Sequence, residues 1–164
     1  MGIPCPDGGI DSRRLQQIGC GPKNTGPPDR QNQATEALRE AYAAFNRGDI
    51  AATTAALDPD IEWTEPAEFP GGGTYRGHDG VKAYLTQSRA GWAEGSSEPE
   101  RFIPCGDKIV VFVHARVRPK GRKEWTELRL ADVYTFRKDK AVEMHAFADR
   151  RQALVYAGIK ELAP

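Results

Sequence analysis

The chain has 164 residues, a length that suits one domain with a real hydrophobic core and leaves little room for a second domain. Its 23 basic residues balance its 23 acidic residues, so charge gives no indication of a nucleic-acid or acidic-membrane partner. Apolar runs are far too short to span a bilayer, and the first residues lack the pattern of a signal peptide. We therefore expect a cytoplasmic protein that binds neither nucleic acid nor membrane.

Cysteine and histidine spacing shows no metal motif. Cys5, Cys20 and Cys105 form no CxxC or Cys/His ligand pattern, and the three histidines are far apart in sequence. We expect free thiols rather than a disulfide framework, no metal and no cofactor. A Cys5–Cys20 pair and a metal site built from distant strands are the alternatives left open by spacing.

Composition changes at about residue 31. Glycine and proline recur through residues 1–30, with almost no apolar periodicity, and such a segment buries too little surface to offset its ordering entropy. We interpret residues 1–30 as a disordered leader and residues 31–164 as the folded domain. A redox or docking tail is the alternative for the leader.

Helical periodicity opens the domain. Four side chains recur at the spacing of one helical face: Leu38, Ala41, Tyr42 and Phe45. Gly48 ends this helix, and Asp49 caps a second, short helix over Ile50–Leu57. An Asp-Pro-Asp breaker then precedes a strand over residues 61–65, which ends at Pro66.

The middle of the chain is mostly irregular. Glycine and proline predict a loop over Pro66–Gly73, followed by a short extended segment at residues 74–76. A third helix begins near His78, for which we expect a capping role. Residues 95–99 form another loop.

Alternation with a period of two then predicts four strands joined by turns: residues 100–104, 108–118, 125–136 and 141–148. A final helix over Arg150–Tyr156 is capped by Asp149 and stops at Gly158. Helices followed by long strands predict an α+β fold, in which a curved antiparallel sheet packs against helices.

Two carboxylates fall on apolar strand faces. Alternation places Glu65 with Ile61 and Trp63, and it places Asp132 with a second apolar set: Leu128, Leu130, Tyr134 and Phe136. Burial raises the pKa of a carboxyl group, because desolvation penalises its charged form, and a raised pKa suits a general acid or a neutral donor. In the structural alternative, each acid pairs with an arginine or backbone donor, or reaches water.

Several segments resemble the ketosteroid isomerases, which are SnoaL-like members of the nuclear-transport-factor-2-like (NTF2-like) superfamily. The resemblance rests on YAAFNRGD at residues 42–49, on the segments 57–60, 63–66 and 69–80, on ADVYTF at 131–136, and on ADRRQAL at 148–154. It covers residues 33–159. It implies a cone-shaped curved sheet wrapped by N-terminal helices around an apolar pocket. The superfamily includes isomerases, polyketide cyclases, dehydratases, epoxide hydrolases and non-catalytic proteins.

By position, the resemblance assigns roles to three residues. Tyr42 matches the tyrosine that donates to the oxyanion, Glu65 matches the base, and Asp132 matches the neutral aspartic acid that is the second donor. Glu65 is one methylene longer than the aspartate of the isomerases, which moves its carboxylate by about an ångström. The resemblance implies enolisation. Ionised Glu65 removes a proton α to a carbonyl, and isomerisation or cyclisation follows.

Candidate ligand-binding residues are mostly aromatic: Trp63, Phe69, Tyr84, Trp92, Phe112, His114, Arg116, Tyr134 and Phe147. For the aromatic residues the alternative is a place in the core, and for His114 and Arg116 it is an outward, solvated face. The expected ligand is apolar and ring-containing, with a carbonyl group.

Two other functions stay open: a dehydratase or hydrolase that uses Asp132 with His114 or Arg116, and a non-catalytic ligand-binding or assembly module. Apolar residues on both strand faces, such as Ala131 and Val133 opposite Leu130, predict a homodimer through the sheet, and the resemblance agrees.

Overall fold

A curved six-stranded sheet forms the centre of the computed structural model, which describes residues 28–160. Its strands lie in the order β2-β1-β6-β5-β4-β3. The elements are α1 (Pro28–Asn46), α2 (Ile50–Thr53) with a 3₁₀ turn (Thr54–Ala56), β1 (Leu57–Glu65), β2 (Gly73–Arg76), α3 (Gly77–Ala90), β3 (Trp92–Cys105), β4 (Lys108–Pro119), β5 (Thr126–Arg137), β6 (Lys140–Phe147) and α4 (Arg150–Tyr156). The predicted α+β class and curved sheet are confirmed.

One pair of strands departs from the antiparallel expectation. The strands β1 and β6 run parallel, and every other neighbouring pair is antiparallel. Parallel neighbours need a long connection, and all of β2 to β5 lies between β1 and β6. Alternation within each strand predicts its faces but not the direction of a partner so distant in sequence.

The predicted helix caps at Asp49 and Asp149 are confirmed. The Asp49 side chain accepts from Ala52 N, and the Asp149 side chain accepts from Arg151 N. His78 does not cap the turn in which it lies. Its Nε2–H donates to the carbonyl of Leu57 at 2.8 Å, which ties the start of α3 to the start of β1.

Two predicted breaks are wrong, because the sheet accommodates irregular strands. The Asp-Pro-Asp segment at residues 58–60 lies within β1, where the register with β6 shifts between Leu57 and Glu62. Residues 95–99 lie within β3, where the register with β4 also shifts. Since β3 is an edge strand, it tolerates Pro99 and a positive φ of 150° at Gly95.

The sheet has an apolar cluster on each face. One cluster lies beneath α1 and α3, and the other lies beneath α4. Ala131 and Val133, which are 0% and 1% exposed, pack in the second cluster with Ala153 and Leu154 of α4. The face on which we based a homodimer is therefore covered by the chain's own helix. The homodimer stays a prediction that rests on the resemblance alone.

The structure describes only the last three residues of the predicted leader. Helix α1 begins at Pro28, within these three residues. The rest of the leader, with Cys5 and Cys20, lies outside the described residues. Cys105 is disulfide-bonded, so the expectation of a free thiol is wrong at this position. Within residues 28–160, no helix is long and apolar enough to cross a membrane.

Candidate functional site

A cavity of about 670 Å³ lies between the sheet and the helices α1 and α3. Its lining is mainly aliphatic and aromatic, with a small number of polar groups, as is typical of small-molecule sites. Eight of the predicted site residues line it: Tyr42, Trp63, Glu65, Phe69, Tyr84, Trp92, Asp132 and Tyr134. The sequence faces of α1, β1 and β5 were therefore assigned correctly.

A hydrogen-bonded chain crosses the deep end of the cavity. The helical period of α1 aims Tyr42 at the sheet, and alternation along β5 puts Asp132 and Tyr134 on the facing side. The Tyr42 hydroxyl donates to Asp132 Oδ2 at 2.5 Å, and the Tyr134 hydroxyl donates to the Tyr42 hydroxyl at 3.0 Å. All three side chains are buried, and these two hydrogen bonds supply the partners that their polar groups require.

Glu65 stands at the end of β1, on the same cavity. The indole Nε1–H of Trp63, two residues earlier on the same strand face, donates to Glu65 Oε1 at 2.8 Å. Tyr84, from α3, also hydrogen-bonds Glu65. The Trp63 ring packs edge-on against Tyr134, with centroids 6.2 Å apart, so the surroundings of Glu65 are continuous with the tyrosine chain.

Burial raises the pKa of both carboxyl groups. Desolvation raises the pKa of Asp132 to about 6, although the hydrogen bond from Tyr42 lowers it. Desolvation and the charge of Asp132 raise the pKa of Glu65 to about 8, although hydrogen bonds from Trp63 and Tyr84 lower it. Between these two values the cavity therefore holds one proton for its two carboxyl groups.

The two carboxyl groups are coupled, so the proton belongs to the pair rather than to one of its members. The Tyr42 hydroxyl donates to Asp132 and lowers its pKa, whereas Trp63 and Tyr84 hydrogen-bond Glu65 and lower its pKa. The assignment of Glu65 as the base and Asp132 as the neutral donor stays a prediction.

The shared proton predicts that unfolding depends on pH. The pKa of Glu65 is higher in the folded protein than the ordinary 4.5, so between about pH 4.5 and 8 the folded state binds more protons than the unfolded state. Stability is therefore greatest below this window and falls as pH rises through it. We expect Glu65→Gln to reduce this fall by about 2–3 kcal/mol, as measured by urea unfolding at pH 5, 7 and 9.

The matched control for this measurement is Glu68→Gln. Glu68 is exposed and lies in the loop that follows Glu65, so its substitution is expected to leave the pH dependence of unfolding as it is in the parent protein. Equal pH dependence in the parent protein and Glu65→Gln would contradict a raised pKa of Glu65 in the folded state.

Four predicted ligand-binding residues are absent from the cavity lining. The cavity side of β4 consists of Val113, Ala115 and Val117, so alternation turns Phe112, His114 and Arg116 to the opposite face. Phe147 packs against the cluster beneath α4. The prediction that these four residues bind the ligand of this cavity is wrong.

Each of these side chains has a partner of its own. Arg116 lies over the Trp125 ring at 4.4 Å, and His114 pairs with Glu127. Phe112 lies beneath the Arg150 guanidinium, and Phe147 stacks on His145. A dehydratase or hydrolase that combines Asp132 with His114 or Arg116 therefore has no basis in this structure.

Sequence patterns were insufficient for part of the lining. Tyr75 of β2 packs its ring against Tyr84 at 4.6 Å and donates its hydroxyl to the carbonyl of Gly71 at 2.6 Å. That bond holds the loop after Glu65 over the cavity, where Phe69, Pro70 and Gly71 contribute to the lining. The alternation of small apolar residues along β4 is a usable sequence signal for the part of the lining that β4 contributes. The position of Tyr75, in contrast, depends on the pairing of β2 with β1.

The described residues 28–160 contain no group of three or more His, Cys, Asp and Glu side chains arranged to hold a metal ion. The chemistry that these residues offer is acid–base: two carboxyl groups that share a proton, beside neutral tyrosine hydroxyls. Burial raises the pKa of Tyr42 and Tyr134 well above the ordinary value, so both remain hydrogen-bond donors.

Residues 38–144 match the family described as the SnoaL-like domain. Uncharacterised proteins of Mycobacterium tuberculosis and Mycobacterium bovis are 40% identical to this chain over 53 aligned residues, which make up 32% of its length. This similarity spans 40% of the length of those curated relatives.

Solved structures share the fold over most of the chain. An NTF2-like protein of unknown function from Burkholderia pseudomallei is 32% identical, with a TM-score of 0.65 over 75% of this chain and 95% of that one. TerC, co-crystallised with polyporic acid, is 28% identical, with a TM-score of 0.64 over 77% and 98% of the two chains. A Catenulispora acidiphila protein with a ketosteroid isomerase-like fold, in complex with trimethylamine, is 15% identical, with a TM-score of 0.63 over 79% and 98%.

Proposed function

Because the chain belongs to the SnoaL-like family and has its NTF2-like fold, we propose that it is a small-molecule enzyme that enolises its substrate α to a carbonyl, as an isomerase or cyclase. One observation carries this proposal. Two carboxyl groups and a neutral tyrosine hydroxyl meet in one apolar cavity, with Glu65 on β1 and the Tyr42–Asp132 pair on α1 and β5. The co-crystallisation of TerC with polyporic acid supports small-molecule binding by a relative of this chain.

In the proposed reaction, Glu65 removes the α proton while Tyr42 and protonated Asp132 donate to the carbonyl oxygen that becomes negative. Donors already in place in a water-poor site stabilise the enolate more than the neutral ketone, which lowers the barrier. Return of the proton to another carbon gives isomerisation. Attack of the enolate on a second carbonyl of the same substrate gives cyclisation.

Substrate binding favours the protonation state that this reaction needs. The Tyr42 hydroxyl donates to Asp132 and lowers the pKa of that carboxyl group. A carbonyl oxygen that accepts from Tyr42 removes that donor from Asp132, so the pKa of Asp132 rises. The proton then favours Asp132, the negative charge favours Glu65, and the base is ionised when the ketone is present.

The same groups weigh against a non-catalytic module. In a purely structural role, we expect a buried carboxylate to be matched by a basic side chain. Among residues 28–160, neither Glu65 nor Asp132 has an ion pair with Lys, Arg or His. Both have a raised pKa instead, which is a pattern typical of acid–base sites.

Deuterium incorporation tests the proposal. The protein is incubated in D₂O with cyclic ketones and β-keto esters, and exchange α to the carbonyl is followed by NMR. We expect exchange above the buffer rate for at least one neutral ring ketone. Exchange no faster than buffer across the whole panel would overturn the proposed enolisation.

The shared proton also predicts the pH dependence of catalysis. Only the form with one proton on the carboxyl pair is active, so kcat/KM is expected to be bell-shaped, with apparent pKa values of about 6 and about 8. The rate falls below the first value because both groups are protonated, and it falls above the second because both are ionised. A profile that is flat from pH 5 to 9 would contradict a shared proton.

A further inference from the structure

The hairpin that joins β4 to β5 carries a cluster of positive charge. Residues 116–129, which we call the basic hairpin, contain six Lys and Arg residues and two Glu residues. The whole chain has 23 basic and 23 acidic residues, so 17 basic and 21 acidic residues lie outside this segment. The even net charge of the chain therefore conceals a local excess of four positive charges at one end of the sheet.

The tip of the basic hairpin presents cations to the solvent. Lys120, Arg122 and Lys123 are exposed, and none of them has an ion pair within residues 28–160. Backbone hydrogen bonds fix the turn: Lys120 N donates to the carbonyl of Gly91 at 2.9 Å, and Arg122 N donates to the carbonyl of Pro119 at 3.2 Å. The three cations therefore stay close together on one exposed turn, where they are available to a surface that carries many anionic groups.

Exposed apolar side chains accompany these cations. Within residues 28–160 only four large hydrophobic side chains are exposed, and two of them lie on the basic hairpin: Trp125, which is 40% exposed, and Leu128, which is 44% exposed. The Trp125 ring lies beneath the Arg116 guanidinium on one face of the sheet, whereas Leu128 lies on the other face, at the rim of the cavity. The hairpin thus combines positive charge with apolar surface on both of its faces.

This combination fits the surface of a bilayer that contains anionic lipids. Anionic headgroups attract Lys and Arg, and a Trp ring is stable at the interface, where its indole N–H stays hydrated while its ring leaves water. A nucleic-acid duplex would meet the same cations with its phosphates but would offer no apolar layer to Leu128. The exposed apolar side chains therefore favour a lipid surface over a nucleic acid.

We propose that the basic hairpin binds the protein reversibly to membranes that contain anionic lipids, with Lys120, Arg122 and Lys123 among the headgroups and Trp125 at the interface. This binding rests on the charge and exposure of the hairpin and is independent of the proposed enolisation. It places the rim of the cavity at Leu128 beside the bilayer.

Co-sedimentation with lipid vesicles tests the proposal. The full chain is mixed with vesicles of phosphatidylcholine and phosphatidylglycerol in equal parts, or with vesicles of phosphatidylcholine alone. We expect binding to the anionic vesicles only, and at least a tenfold loss of affinity when NaCl rises from about 0.01 M to about 1 M, because the Debye length falls from about 30 Å to about 3 Å. Equal binding to the two kinds of vesicle, or to neither, would overturn the proposal, as would tighter binding to duplex DNA in the same buffer.

Two double variants locate the binding site. Each Lys or Arg near an anionic bilayer contributes about fivefold to affinity, so Arg122→Gln/Lys123→Gln is expected to weaken vesicle binding about 20-fold. The matched control, Arg137→Gln/Lys138→Gln, removes the same charge from exposed positions at the opposite end of β5 and is expected to bind as the parent protein does. Equal losses in the two variants would overturn the assignment of binding to the basic hairpin.

Tryptophan fluorescence tests the contact of Trp125 with lipid. The emission of the parent protein is expected to move to shorter wavelength when anionic vesicles are added, because Trp125 leaves water. The other two tryptophans, Trp63 and Trp92, line the cavity, so Trp125→Phe is expected to abolish this shift. No shift in the parent protein, or the same shift in Trp125→Phe, would overturn the proposal. Neither readout involves the carboxyl groups of the cavity, so its failure is distinguishable from failure of the proposed function.

Discussion

Substitution of Glu65 by Gln is expected to reduce α-proton exchange by about 10³- to 10⁴-fold, because the amide cannot take up a proton. Asp132→Asn is expected to cost less than about 10²-fold, because its amide still donates to the developing oxyanion. Each substitution removes one ionisable carboxyl group from the same cavity, so each is the matched control for the other. NMR exchange rates at pH 7, with circular dichroism to verify folding, measure the difference.

The order of these two losses decides which carboxyl group is the base. The hydrogen bond from Tyr42 lowers the pKa of Asp132, so a ligand that left this bond intact would favour Asp132 as the base and Glu65 as the acid. A larger loss in Asp132→Asn than in Glu65→Gln would establish that reversed assignment. It would contradict the proton transfer that we derive from ligand binding, although enolisation itself would stand.

Tyr42→Phe is expected to lower kcat/KM for exchange by about 10²- to 10³-fold, because one oxyanion donor is lost. It also removes from Asp132 the hydrogen bond that lowers its pKa, so the acidic limb of the pH profile is expected to move to higher pH. Steady-state exchange rates between pH 5 and 9 measure both effects.

Tyr134→Phe is the matched control for this experiment. It removes a buried hydroxyl from the same chain and leaves the bond from Tyr42 to Asp132 in place. We expect a loss of about tenfold or less, from weaker polarisation of the Tyr42 hydroxyl. Equal losses in the two variants would show that the hydrogen-bonded side chains act only as a structural unit, with no separate role for Tyr42 as a donor.

The length of Glu65 is accommodated by its neighbours. Its carboxylate accepts from the Trp63 indole two residues earlier on the same strand face and also hydrogen-bonds Tyr84 on α3. These donors hold the longer side chain in one position despite its additional rotatable bond. A methylene more than the isomerase aspartate is therefore compatible with a base placed for proton transfer.

Local patterns in the sequence determined most of the elements and the faces that point inward. The helical spacing of Tyr42 and the alternation around Glu65 and Asp132 depend only on geometry within one helix or strand, which is why all three were placed correctly in one cavity. The caps at Asp49 and Asp149 were predictable for the same reason, since each donor lies two or three residues away.

Tertiary structure alone decided which of the two sheet faces encloses the cavity, and why the pKa of both carboxyl groups is raised. Alternation on β4 separates Phe112 and His114 from Val113, but the packing of α1 and α3 on one face and α4 on the other decides which set meets a ligand. The pKa of Asp132 likewise depends on desolvation and on the Tyr42–Asp132 hydrogen bond, which joins residues ninety positions apart. Both outcomes arise from contacts between distant segments, which periodicity within one segment does not contain.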